Sequence, residues 1–132
     1  MTATFADIDP SGAMGAECWS DYRQKLGAWQ RSRHHLQRFL AEWPRHRARL
    51  DELTASPGEV VGALSAASHP LRFEDLDVPI TREQVGWAFR NAHLMRKRMT
   101  IGDLLFHLGM LDAGFVDEVL DEAAHLASAA SP

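Results

Sequence analysis

The sequence predicts an all-α fold: five or six helices in a compact array, joined by short turns. Three observations carry this. Apolar residues recur at steps of three and four along most of the chain, as on one face of a helix. Ser56, Thr81 and Thr100 each stand three residues ahead of a Glu, Gln or Asp, the spacing of a helix-opening capping box. No stretch alternates polar and apolar over strand length with turn signals at both ends.

The elements follow in order. The opening MTATFADIDPSG holds Pro10, Ser11 and Gly12 and reads as loop, so residues 1–13 are expected to be irregular or frayed. Trp19, Tyr22, Leu26, Trp29, Leu36, Leu40 and Trp43 then mark the apolar face of one long helix, or of two nearly in line, with Arg33 interrupting the stripe. Gly27 costs about 1 kcal/mol relative to Ala inside a helix and is a place for a bend. Pro44 cannot continue a helix but suits the first turn of a new one, which should run to Leu53.

Ser56 opens the next helix, with Pro57 in its first turn and Glu59 as its capping partner. It should end near Ala67, before Ser68, His69 and Pro70. PLRFEDLDVPI is a connector. Thr81 and Gln84 open a helix whose stripe is Val85, Ala88, Phe89, Ala92 and Met95, widened by Trp87 and Leu94. Thr100 caps the following helix, with Asp103 near its positive end. Leu104, Leu105 and Leu108 face inward, and Gly109 stops it. Asp112 starts the last helix, with Phe115, Val116, Val119, Leu120 and Ala123 on one side, and residues 128–132 are a frayed tail.

The 132 residues suit a single helical domain, and the apolar content is ordinary for a globular chain. A net charge of −4 argues against a nucleic-acid binder. One cysteine, Cys18, excludes an intrachain disulfide and reads as a small packing residue. No apolar run reaches the roughly 20 residues of a membrane span, and the acidic start lacks the cationic leader of a secretory signal. A cytoplasmic protein is expected.

Charge is segregated. Arg31, Arg33, Arg38, Arg45, Arg47 and Arg49 stand against Glu42 alone in residues 31–49. Asp103, Asp112, Asp117, Glu118, Asp121 and Glu122 stand in residues 101–132 without a Lys or Arg. The seven histidines are scattered, without HxxxH or HExxH spacing, and no glycine-rich phosphate loop is present. The site candidates are therefore Arg96, Lys97 and Arg98, between one helix end and the next helix start. They read as an anion or domain-contact site, or as a structural joint in which the cations tie two helix ends together and pair with Asp103.

The stretches WPRHRARLDEL, SPGEVVGALSAASHP and ITREQVGWAFRNAHLMRKRMTIGDLLFHLGML, with ECWSDYRQKLGAW before them, resemble the C-terminal region of the glycerol-1-phosphate dehydrogenase family. The family's Arg-x-Arg-Tyr-Thr-x-x-Asp-Leu-Leu block is similar to Arg96, Arg98, Met99, Thr100, Asp103, Leu104 and Leu105, with Met99 in place of Tyr. Its Gly-x-Pro connector has Ser68 in place of Gly.

The resemblance implies part of the C-terminal helical domain of a dehydroquinate synthase-like enzyme, related also to iron-containing alcohol dehydrogenases. Full-length members bind NAD(P) in an N-terminal α/β domain and a catalytic zinc in the cleft. The resemblance carries no catalytic, cofactor or metal residue onto this chain. It implies an oxidoreductase relative that is inactive alone, being truncated or one half of a split enzyme. The expected partner is a separate α/β nucleotide-binding chain or a second copy. A non-catalytic interaction module is the other reading.

Overall fold

The computed structural model describes residues 2–130, and every regular element among them is helical. The helices are α1 (Thr2–Phe5), α2 (Ala13–Ser32), α3 (Leu36–Ala41), α4 (Trp43–Leu53), α5 (Pro57–Ala66), α6 (Arg82–Asn91), α7 (Ile101–His107) and α8 (Ala113–Ala129). Short 3-10 turns lie at Arg33–His35, Phe73–Asp75 and Ala92–Met95. Six of the helices have seven residues or more, in keeping with the expected number.

The predicted starts are present as hydrogen bonds. Ser56 and Glu59 form a reciprocal capping box, as do Thr100 and Asp103. The Gln84 amide nitrogen donates to Thr81 Oγ1, and Thr81 N donates to the Gln84 side-chain oxygen. Asp112 accepts from Phe115 N at 2.9 Å. Helix ends follow one pattern twice. His69 N donates to Leu64 O and Ser68 N to Ser65 O, both at 2.9 Å. Met110 N donates to Leu105 O at 2.8 Å and Gly109 N to Phe106 O at 3.1 Å. Each pair is a Schellman closure, which needs a left-handed residue just past the helix. Gly109 meets that with φ 70° at little cost, whereas Ser68 does so with φ 55° and a side chain.

The contacts group the chain into two units: Met1–Leu36 with Phe89–Leu111, and Gln37–Ala88 with Asp112–Pro132. In the first, α1 packs on α2, and the Ala92–Met95 turn packs on α2 and α7. In the second, α5 packs on α8.

The first unit differs from expectation at its start. Residues 1–13 are not wholly irregular: Phe5, on α1, is 1% exposed. Asp9 receives Met14 N at 2.7 Å and so helps to close the start of α2, its carboxyl held below the usual range by the Ser11 hydroxyl and the Met14 amide. The predicted irregularity is interrupted by α1, which packs on α2 and buries Phe5. The α2 helix passes Gly27 unbroken and gives way to 3-10 geometry at Arg33, where the apolar stripe itself breaks.

The buried side of α2 is also rotated from the apolar stripe. It runs through Gly15, Cys18, Tyr22 and Lys25, again at steps of three and four, while Trp19 is 45% exposed. The Phe89 and Met95 positions, expected inside, are exposed, and His93 is buried instead. Helix α6 stops at Asn91 and the tighter 3-10 turn re-aims the residues after it, so a stripe extrapolated at 3.6 residues per turn goes out of phase.

The second unit has little interior. Among its described residues only Val116 and Ala127, both on α8, are buried. A methyl group on Gly86 of α6 would stand 3.8 Å from Val116, which marks where α6 lies over α8. Polar ties supplement this. Arg72 donates to Ser128 Oγ at 2.8 Å, and Arg82 reaches Asp121 at 2.8 Å and the Asp117 carbonyl at 3.1 Å. The C-terminal segment expected to fray is helical to Ala129; residues 131 and 132 lie outside those described.

Candidate functional site

The first unit holds an ion pair out of contact with water. Lys25 Nζ lies 2.7 Å from Asp103 Oδ1, with the two side chains 1% and 0% exposed. The same ammonium donates to the His93 carbonyl, and it sits 5.4 Å from the centre of the Tyr22 ring. A buried charge is tolerated only when paired and hydrogen-bonded. Lys25 meets that requirement with a carboxylate, a carbonyl and an aromatic face.

Asp103 divides its two oxygens between tasks. Oδ1 faces the ammonium, and Oδ2 accepts from Thr100 N and Thr100 Oγ1, each at 2.8 Å. One carboxylate therefore closes the start of α7 and fastens it to α2. The Thr100 and Asp103 spacing gave the cap; the ion pair was expected from the cations at Arg96, Lys97 and Arg98 and is made by Lys25. Arg96, Lys97 and Arg98 lie exposed in the segment between the Ala92–Met95 turn and α7, and no ion pair reaches them among the described residues. A lysine within four residues of Trp29 gave no signal in sequence, because burial of a cation depends on a carboxylate nearly eighty positions away.

His93 is the other residue that sequence reading passed over. It is 6% exposed, its ring nitrogens are shut off from solvent, and the Arg90 backbone is a hydrogen-bond partner of the ring. Its ring lies 4.8 Å from that of Phe106, tilted by 30°, and edge-on to Tyr22 at 6.3 Å. Burial holds its pKa below the ordinary histidine value. The Asp103 charge opposes this and the Lys25 charge reinforces it. His107 stacks on Trp29 at 4.2 Å, nearly parallel, and burial lowers its pKa too. Burial, with the Asp103 charge second, raises the Tyr22 phenol, and burial raises the Cys18 thiol.

Beside this cluster lies a cavity of about 510 Å³, lined in part by Trp19, Tyr22, Arg90, His93 and Phe106. Its chemistry is one guanidinium, a neutral imidazole and aromatic walls. Lys25 is not available to it as a nucleophile, since its three donors are committed or enclosed. No grouping of three or more His, Cys, Asp or Glu side chains suited to a metal ion occurs among the described residues. No helix among them is long and apolar enough to cross a membrane.

No protein-family model matches the chain, and no curated protein or solved structure matches it significantly.

Proposed function

We propose that the chain is a helical partner subunit that works by packing against another polypeptide, and that it carries no redox chemistry alone. The observation behind this is the second unit's surface. Leu50, Leu53, Val60, Phe73 and Val78 are 46%, 66%, 47%, 46% and 77% exposed, while two small or medium side chains supply the buried interior. Large apolar side chains left in water around so small a buried interior support a role in which a partner covers them.

The resemblance in sequence supplies the partner: an α/β chain that binds NAD(P) and holds zinc, completing an enzyme of the glycerol-1-phosphate dehydrogenase kind. The test is reconstitution. The pure chain is assayed with glycerol 1-phosphate, NAD+, NADP+ and zinc, then again after mixing with an α/β chain encoded by a neighbouring reading frame. Turnover is expected only in the mixture. Turnover by the pure chain refutes the proposal.

The second reading is self-association. The exposed apolar side chains of the second unit would be covered by a second copy, while the α4 arginines are already paired with Glu42, Asp51 and Glu52. A concentration-dependent oligomer, unaffected by the α/β chain, favours this reading over the first.

A further inference from the structure

We propose that the cavity bordered by Tyr22, His93 and Phe106 binds a small planar carboxylate, anchored by Arg90. This site belongs to the first unit alone and does not rest on the function proposed above.

Four observations converge. The volume, about 510 Å³, falls in the range of roughly 300–1,000 Å³ found for small-molecule sites. Two of its aromatic linings, Trp19 and Phe106, are 45% and 47% exposed. They are large rings left in water at the edge of a hollow, where a flat ligand would cover them by offset stacking.

Arg90 is the one formally charged residue in the lining, and it makes no ion pair among the described residues. Its planar fork suits a carboxylate. A single guanidinium balances one negative charge and would leave a phosphate dianion half-compensated.

The last observation is His93. It lines the same cavity and is more than nine-tenths buried, with its ring nitrogens shut off from solvent and the Arg90 backbone as a hydrogen-bond partner. Its ring stacks on that of Phe106 and burial favours the uncharged form, so it adds a flat, neutral wall rather than a second charge. Benzoate and 4-hydroxybenzoate have the required shape and charge.

The experiment titrates the full chain with 4-hydroxybenzoate, benzoate, benzamide and inorganic phosphate, read by calorimetry and by two-dimensional NMR of backbone amides and histidine rings. Saturable binding of both carboxylates is expected, with shifts at Tyr22, His93 and Phe106. Arg90 is exposed, so Arg90→Ala should leave the fold intact. It should weaken carboxylate binding about tenfold or more, as loss of a charge-assisted hydrogen bond does. Arg90→Lys should recover part of that loss, and benzamide should bind like a carboxylate to Arg90→Ala. The proposal fails if neither carboxylate saturates by roughly 10 mM, if Arg90→Ala binds them as the parent does, or if phosphate competes equally.

Discussion

Replacing Lys25 with Met is the most informative perturbation of the first unit. The side chains are similar in length, so the change removes the charge and keeps the packing. In the parent, the ammonium and Asp103 Oδ1 are 2.7 Å apart with essentially no water access. At an effective dielectric near 20, Coulomb attraction at that distance is about 6 kcal/mol, before the cost of desolvating both ions is subtracted. Removing one partner strands the other, and such changes cost about 3–5 kcal/mol. That is a large share of a stability of about 5–15 kcal/mol.

Asp103 retains its bonds to Thr100, so part of its charge remains solvated by the capping box and the lower end of the range is expected. The double variant, Lys25→Met with Asp103→Asn, leaves no unpaired charge. It should recover most of the loss, keeping only a capping deficit of about 0.5–2 kcal/mol. The assay is a urea titration followed by tryptophan fluorescence in a background lacking Trp43 and Trp87. Trp19 and Trp29 then report on the first unit alone. A loss below about 1 kcal/mol for Lys25→Met would refute the reasoning. So would a double variant less stable than the single one.

Four further outcomes are expected. Thr100→Ala should lower the same urea midpoint by the equivalent of about 0.5–2 kcal/mol, and Thr100→Ser should restore most of it. Arg96→Ala and Arg98→Ala should stay within about 0.5 kcal/mol of the parent, with or without phosphate, because neither side chain is held; a phosphate-dependent difference would restore the anion reading. Ser68→Gly should stabilise the second unit by about 1 kcal/mol in thermal melts, since Ser68 occupies a left-handed conformation at φ 55°. Finally, folding lowers the pKa of His93 and His107, so the unfolded chain takes up protons first as pH falls. Their contribution is complete above the unfolded value of about 6.5 and is lost as pH drops from there through the folded values. His93→Leu should flatten that decline in a series of urea midpoints, and an unchanged pH slope would argue against it.

The sequence by itself determined the local grammar of this protein. Capping boxes at Ser56, Thr81 and Thr100, the N-cap Asp112 and the stop at Gly109 are short-range hydrogen-bonding patterns, complete within six residues. They stand in the structure where the residues put them. The break at Arg33 was not legible in this way: the sequence pointed to a bend at Gly27, which α2 passes unbroken, although Arg33 did interrupt the apolar stripe.

Tertiary structure alone decided which side of α2 is inside, what Asp103 pairs with, and that His93 is buried. A helix with aromatic residues on two adjacent stripes can turn either one inward. The choice at Trp19 against Tyr22 and Lys25 was settled by a carboxylate on α7 that a buried ammonium could reach. Polar burial is a property of pairs distant in sequence, and the energy of each member is set by the presence of the other. Lys25, His93 and Asp103 could therefore be recognised as one cluster only after the chain had brought α2, the Ala92–Met95 turn and α7 together.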